Sequence, residues 1–268
     1  MRRNRLAAYL TSLFLAVGMA LTGAAAAHAS SAAVTGYVAL GDSYSSGVGA
    51  GSYISSSGSC NRSTKAYPYL WQAAKAPASF SFMACSGAIT TDVINNQLGA
   101  LNSSTSLVSI SVGGNDAGFS DVMTSCVLDS DSTCLSRIAT ARAFIDSTLP
   151  GRLDAVYSAI RSKAPSARVV VLGYPRFYKL GTTLCLGLSE TKRSAINGAA
   201  DYMDAAIAKR AADHGFTFGD VRTTFTGHEL CSGDAWLHSV NLLNITESYH
   251  PTAAGQSGGY LPVLTNAA

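Results

Sequence analysis

Apolar residues in this chain come as short runs separated by stretches with helical spacing, and that alternation dominates its pattern. Five runs have the length and composition of strands: residues 37–40, 79–84, 107–112, 168–173 and 216–218. RVVVLG at 168–173 is the most strand-like, whereas SFSFMA at 79–84 alternates between polar and apolar positions. Helical spacing covers 67–76, a segment from Thr90-Thr91-Asp92 toward Leu101, and 188–214 with Gly215 as its stop. It also covers 135–163, broken at Pro150-Gly151. Residues 126–134 read as a small Asp/Ser loop, 51–65 are too poor in apolar residues for an element, and little is periodic in 221–248. His250-Pro251-Thr252 then opens a small-residue helix that ends the chain. Strands alternating with helices predict an α/β fold, a parallel sheet with helices on both faces, in a single domain over 34–268.

The first 33 residues do not fit that pattern. Arg2, Arg3 and Arg5 precede a largely apolar run over 6–21, and Ala27-His28-Ala29 and Ser31-Ala32-Ala33 are small-residue cleavage sites. This is the signature of a secretory signal peptide cut after Ala29 or Ala33, with an apolar run short for a membrane span. The mature chain is expected outside the cell.

Removing the leader changes the charge. The chain has 19 Lys+Arg against 16 Asp+Glu, three of the Arg lie in the leader, and the remainder is formally neutral. No basic cluster that tracks phosphates follows, so a nucleic-acid partner is not expected. Six cysteines remain, Cys60, Cys85, Cys126, Cys134, Cys185 and Cys231, an even number in an exported chain. Pairing between sequence neighbours is expected: Cys60–Cys85, Cys126–Cys134 and Cys185–Cys231. Without C-x-x-C pairs or another ligand set, neither a metal nor a cofactor is expected. A monomer is expected.

The strand ends hold the candidate chemistry. Residues 37–40 stop at Gly41-Asp42-Ser43, where Ser43 reads equally as a helix cap or as a nucleophile. The next strand ends at Cys85-Ser86-Gly87-Ala88, and the third at Gly113-Gly114-Asn115-Asp116. In a parallel sheet these ends share one edge, so Ser43, Gly87 and Asn115 can converge. A serine, two main-chain N–H groups (Ser43 and Gly87) and the Asn115 amide suit acyl transfer, in which an oxyanion needs fixed donors. The base must be a histidine. His28 lies in the leader, His214 sits at a helix end, and His228 and His238 lie in the irregular segment, which leaves His250 as the candidate.

Together these blocks resemble the SGNH, or GDSL, hydrolase superfamily: Gly41-Asp42-Ser43-Tyr44, Ser86-Gly87-Ala88, Gly113-Gly114-Asn115-Asp116 and His250-Pro251-Thr252, in the family's order. With its leader and six cysteines the chain looks most like the secreted lipases, esterases and phospholipases of filamentous actinobacteria. The resemblance implies a three-layer α/β/α sandwich around a five-stranded parallel sheet. It also implies hydrolysis of acyl esters or lipids through an acyl-enzyme on Ser43, with His250 as general base and Ser43, Gly87 and Asn115 as the oxyanion hole. Many members have an Asp three residues before the histidine, and Glu247 stands there in this chain. A main-chain carbonyl of Glu247 or Ser248 is the favoured partner of His250 over the Glu247 carboxylate.

The alternatives are a carbohydrate acetyl esterase and a non-catalytic binding domain on the same scaffold. The loops 48–65, 174–187 and 221–248 are expected to wall the pocket, with Tyr53, Phe177, Tyr178 and Trp236 as candidate acyl contacts.

Overall fold

The computed structural model describes residues 34–182, 185 and 187–268, so the expected leader lies outside the described residues. Strands β1 (Gly36–Gly41), β2 (Ser79–Phe82), β3 (Leu107–Ser111), β4 (Arg168–Leu172) and β5 (Thr217–Gly219) form one sheet. Their order is β2-β1-β3-β4-β5 and every pairing is parallel. Strands β1 and β3 are buried along their whole length, and β4 is buried apart from Arg168. Burial on both faces explains why these runs are nearly continuous in apolar residues. The edge strands β2 and β5 are only partly covered, and β2 alternates accordingly.

The chain passes from β1 to β2 on one side and then crosses to β3 on the other. The order therefore reverses between β1 and β3, and their carboxyl ends border a crevice, the usual ligand position in open parallel sheets. Helices α1 (Ser43–Ser46), α2 (Tyr67–Lys75), α3 (Thr90–Asp92), α4 (Phe119–Leu128), α5 (Asp131–Ser147), α6 (Leu149–Lys163), α7 (Glu190–Asp213) and α8 (Leu261–Ala267) cover the sheet. The result is a three-layer α/β/α sandwich.

Three local expectations are corrected. Residues 126–134 are not a loop: they span the end of α4, a two-residue link and the first turn of α5, where the Ser130 hydroxyl accepts from the Thr133 N–H. Phe119, Val122, Met123 and Cys126 follow the i, i+3, i+4, i+7 spacing of a helix face, and that spacing is the signal for α4. The segment from Thr90 toward Leu101 is unevenly wound, a single α-turn followed by π and 3-10 turns. The break between α5 and α6 comes at Thr148, with Pro150 in the first turn of α6, where its missing N–H costs nothing.

The disulfides join Cys60 to Cys85, Cys126 to Cys134 and Cys185 to Cys231. Cys126 and Cys134 are completely buried, so this bridge clamps α4 onto α5 inside the apolar core. The pair spans 8 residues, and loop-closure entropy for so short a loop is worth about 2.5 kcal/mol. Replacing both cysteines by Ala is expected to lower Tm by about 5–10 °C in thermal denaturation, and a shift below about 2 °C would contradict the clamp.

Candidate active site

Ser43 follows β1 as the first residue of α1, and the cap of that helix is its neighbour. The Asp42 carboxylate accepts from the Tyr44 N–H at 3.0 Å, which frees the Ser43 hydroxyl from capping. As the first helical residue, Ser43 has a main-chain N–H without an intrahelical acceptor.

Asp42 is almost fully buried, and among the described residues no cation pairs with it. It also accepts from the Ser111 hydroxyl at 2.6 Å and the Tyr174 hydroxyl at 2.6 Å. Burial pushes its carboxyl up to about 6, and the hydrogen bonds from Ser111, Tyr174 and the main chain hold it from rising further. Ser111 continues the network through Ser45 to the Tyr67 hydroxyl, each step 2.7 Å.

His250 lies 207 residues further along, and its Nε2 is 2.7 Å from Ser43 Oγ. Its Nδ1 is 3.0 Å from the Ser248 carbonyl oxygen. A carbonyl only accepts, so Nδ1 carries the proton and Nε2 presents its lone pair to the hydroxyl. Burial pushes the imidazole down to about 4, opposed by the hydrogen bond to Ser248 and deepened by the neighbouring His238. The ring is therefore neutral at ordinary pH.

The turn bearing His250 is held from several directions. Tyr249 has a left-handed backbone, φ 65°, unusual for a tyrosine. Its carbonyl accepts from the Tyr44 hydroxyl at 2.7 Å, and its own hydroxyl accepts from Tyr178 at 3.0 Å. His238 pairs with the turn through two main-chain hydrogen bonds, to the His250 carbonyl at 2.9 Å and from the Tyr249 N–H at 2.8 Å. Its Nε2 donates to the Gly49 carbonyl at 2.7 Å. Gly49 has φ +88°, and a Cβ there would come within 2.8 Å of the Pro251 carbonyl and 3.1 Å of the His250 Cβ, so only glycine lets the two loops meet.

The Glu247 carboxylate turns away from His250. It accepts from the Tyr53 hydroxyl at 2.8 Å, and Tyr53 in turn accepts from the Gly49 N–H at 2.9 Å. Glu247 thus braces its own turn against the loop after α1.

The turn carrying Gly87 is fastened on both sides. The Cys85 N–H donates to the Gly41 carbonyl at 3.0 Å, and Asn115 Nδ2 donates to the Ala88 carbonyl at 3.0 Å. Gly87 has φ +78° and faces open space. Asn115 is thereby oriented with its second amide hydrogen still available. Asp116 accepts from the Thr90 N–H and hydroxyl and pairs with Arg152, which makes it a structural residue.

A cavity of about 680 Å³, counted to its open mouth, starts at Ser43 and Asn115. Neither Gly87 nor His250 lines it. Its walls are Phe119, Val122 and Met123 of α4, Ala141 and Ile145 of α5, Ile196, Ala199, Ala200 and Met203 of α7, and Tyr174 and Phe177. The expectation that loops wall the pocket is corrected in part: three helices form most of the wall, and of the expected loops only 174–187 contributes, through Tyr174 and Phe177. Of the four aromatic candidates only Phe177 lines the cavity. Tyr53 is engaged with Glu247, Tyr178 with Tyr249, and Trp236 stacks on His228 at 3.5 Å. Among the described residues no group of three or more His, Cys, Asp or Glu could hold a metal ion.

Residues 39–257 match the family model described as GDSL-like Lipase/Acylhydrolase family. The chain is 74% identical to Lipase 1 of Streptomyces coelicolor over the full length of both proteins. It resembles the crystal structure of phospholipase A1 from Streptomyces albidoflavus NA297 with TM-score 0.86 and 69% identity, covering 88% of this chain and 100% of that one. The extracellular lipase structure from Streptomyces rimosus gives TM-score 0.85 and 67% identity, covering 87% and 100%. An acetylxylan esterase from Geobacillus stearothermophilus, at 13% identity and TM-score 0.52, shares the fold alone. The order of the four sequence blocks, the architecture of the sheet and these matches lead to one assignment: this chain belongs to the GDSL-like lipase/acylhydrolase family.

Proposed function

We propose that this chain is an exported carboxylester hydrolase that cleaves lipid acyl esters through an acyl-enzyme on Ser43, working as a monomer without a cofactor or nucleic-acid partner. The observation that carries the reading is the Ser43 Oγ–His250 Nε2 distance of 2.7 Å at the head of an apolar cavity. Ser43 Oγ attacks the ester carbonyl while His250 Nε2 takes the hydroxyl proton. The developing oxyanion accepts from the Ser43 N–H, the Gly87 N–H and Asn115 Nδ2. The tetrahedral intermediate expels the alcohol, which receives the proton from His250, and leaves the acyl group on Ser43. Water activated by the same imidazole then releases the fatty acid and restores the serine.

In this reading the Ser248 carbonyl holds the imidazole in the required tautomer, so Ser43 and His250 act as a dyad, and the Glu247 carboxylate contributes only through Tyr53. The leader-like first 33 residues and the extracellular lipase among the similar structures support export. The apolar lining of the cavity, drawn from three helices, favours an acyl chain over an acetyl group.

Ser43→Ala is expected to lower ester hydrolysis by at least about 10⁴-fold with Tm nearly unchanged. Glu247→Ala and Glu247→Gln should keep kcat within about tenfold of the parent, under about 1.4 kcal/mol in the barrier. A thousandfold loss in both Glu247 variants, with the fold intact, would make that carboxylate the third catalytic group.

The pH dependence follows from the low imidazole value, because the base works only when neutral. The acid limb of kcat/KM should fall with an apparent value near 4, together with the His250 ring signal in NMR. A limb near 6.5 with a matching His250 titration would contradict the buried base.

Ala200→Phe projects a large side chain into the cavity. A buried methylene is worth about 0.8 kcal/mol, so losing contact with several should slow long-chain nitrophenyl esters more than tenfold. The acetyl ester should change less than about threefold. An equal loss on both would mean that the acyl chain lies elsewhere.

A further inference from the structure

One segment beside the site has no role in the chemistry above. Between His238 and Ser248 the chain makes a loop whose tip holds Leu242, Leu243 and Ile245, exposed by 86%, 100% and 65%. Elsewhere the exposed large apolar residues of the described chain are separated in sequence, such as Leu128 on α4. Here three of them fall within four positions.

The backbone of this loop is ordered by its own polar groups. The Asn241 N–H donates to the Ser248 hydroxyl at 2.8 Å, and the Leu243 and Asn244 N–H groups both donate to Asn241 Oδ1 at 3.1 Å. The loop is thus closed at its base, with its apolar side chains turned to solvent. That base is the catalytic turn, because the Ser248 carbonyl accepts from His250 Nδ1 and Glu247 is tied to Tyr53. Leu243 is five residues from Ser248, so the tip lies within about 18 Å of chain from the base.

From these observations we infer that the 239–246 loop docks the enzyme onto a neutral or zwitterionic lipid surface, with Leu242, Leu243 and Ile245 entering the acyl boundary. Contiguous exposed apolar side chains beside a functional site mark an interaction surface. The occupant follows from charge and from substrate. Residues 239–246 carry no ionisable group, and the chain from residue 34 onward has equal formal numbers of basic and acidic residues, so attraction to anionic headgroups contributes little. Docking so close to His250 would bring lipid acyl esters to the mouth of the apolar cavity. This inference rests on the ester-hydrolase reading for its substrate, but not for its binding test.

The experiment compares the full chain with the Leu242→Ser/Leu243→Ser/Ile245→Ser variant, both in a Ser43→Ala background for binding so that vesicles stay intact. Flotation with phosphatidylcholine vesicles should show binding that persists at high salt, weakened at least tenfold by the triple change. With Ser43 restored, kcat/KM on a water-soluble short-chain ester should remain within twofold, while hydrolysis of vesicle phospholipid falls at least tenfold. Equal vesicle binding by the two proteins would overturn the inference, as would binding that requires anionic lipid and disappears with salt. An equal loss on soluble and vesicle substrate would also overturn it, since the tip would then only support the His250 turn. A chain that binds vesicles through the loop yet hydrolyses no ester would leave docking standing and remove the hydrolase reading instead.

Discussion

A carboxylate buried without a counter-charge is the constraint on which this site depends. Desolvating Asp42 is costly, and the chain offsets that cost with hydrogen bonds from three separate segments. Tyr44 comes from α1, Ser111 from the end of β3 and Tyr174 from the loop after β4. Each bond removes a freedom that would otherwise blur the position of Ser43, the next residue. The Asp42 N–H adds a fourth tie at 3.0 Å, to the Ser111 carbonyl. Ser43 is therefore held in place by a polar network drawn from α1, β3 and the loop after β4, of which Asp42 and Tyr174 also line the cavity.

The other half of the site is fixed by a different device. His250 belongs to a turn with a left-handed tyrosine, and such a conformation persists only where its surroundings over-determine it. The Tyr44 hydroxyl, the main-chain pairing with His238 and the close approach of Gly49 provide that support. Tyr44 also links the two halves, since its own carbonyl accepts from Gln256 Nε2 at 3.0 Å while Gln256 Oε1 accepts from the Tyr67 N–H at 2.9 Å. Gln256 lies in the π-wound stretch before α8, a distortion often found near functional sites. A neutral, buried imidazole follows from this enclosure, because desolvation lowers its pKa more than its carbonyl partner raises it.

Polar order and apolar space meet at Asp42 and Ser43, which both line the cavity between α4, α5 and α7. Ser111, Ser45 and Tyr67, which carry the Asp42 network onward, do not line it. The Cys126–Cys134 bridge ties two of those three walls together. Residues remote from the chemistry in sequence thereby set the room available to a bound chain.

Strand periodicity and the four short blocks carried the sheet, its parallel sense and the candidacy of Ser43, Gly87, Asn115 and His250, because those signals are local. Buried parallel strands must be apolar on both faces, and strand ends must turn through glycine and polar residues, so both are written in consecutive positions. The sequence also left the partner of His250 between a carboxylate and a carbonyl, and left Ser43 between cap and nucleophile. Only the tertiary structure shows that Asp42 rather than Ser43 caps α1, and that the Ser248 carbonyl rather than the Glu247 carboxylate faces His250 Nδ1. Where the Glu247 side chain points depends on Tyr53, nearly two hundred residues away, and the carbonyl that faces Nδ1 is set by a turn that Gly49 and His238 hold from outside. The cavity walls stayed hidden for the same reason. Phe119, Val122, Ile145 and Met203 are ordinary core residues in their own helices, and they become a pocket only because packing leaves a gap between helices that no single stretch of sequence contains.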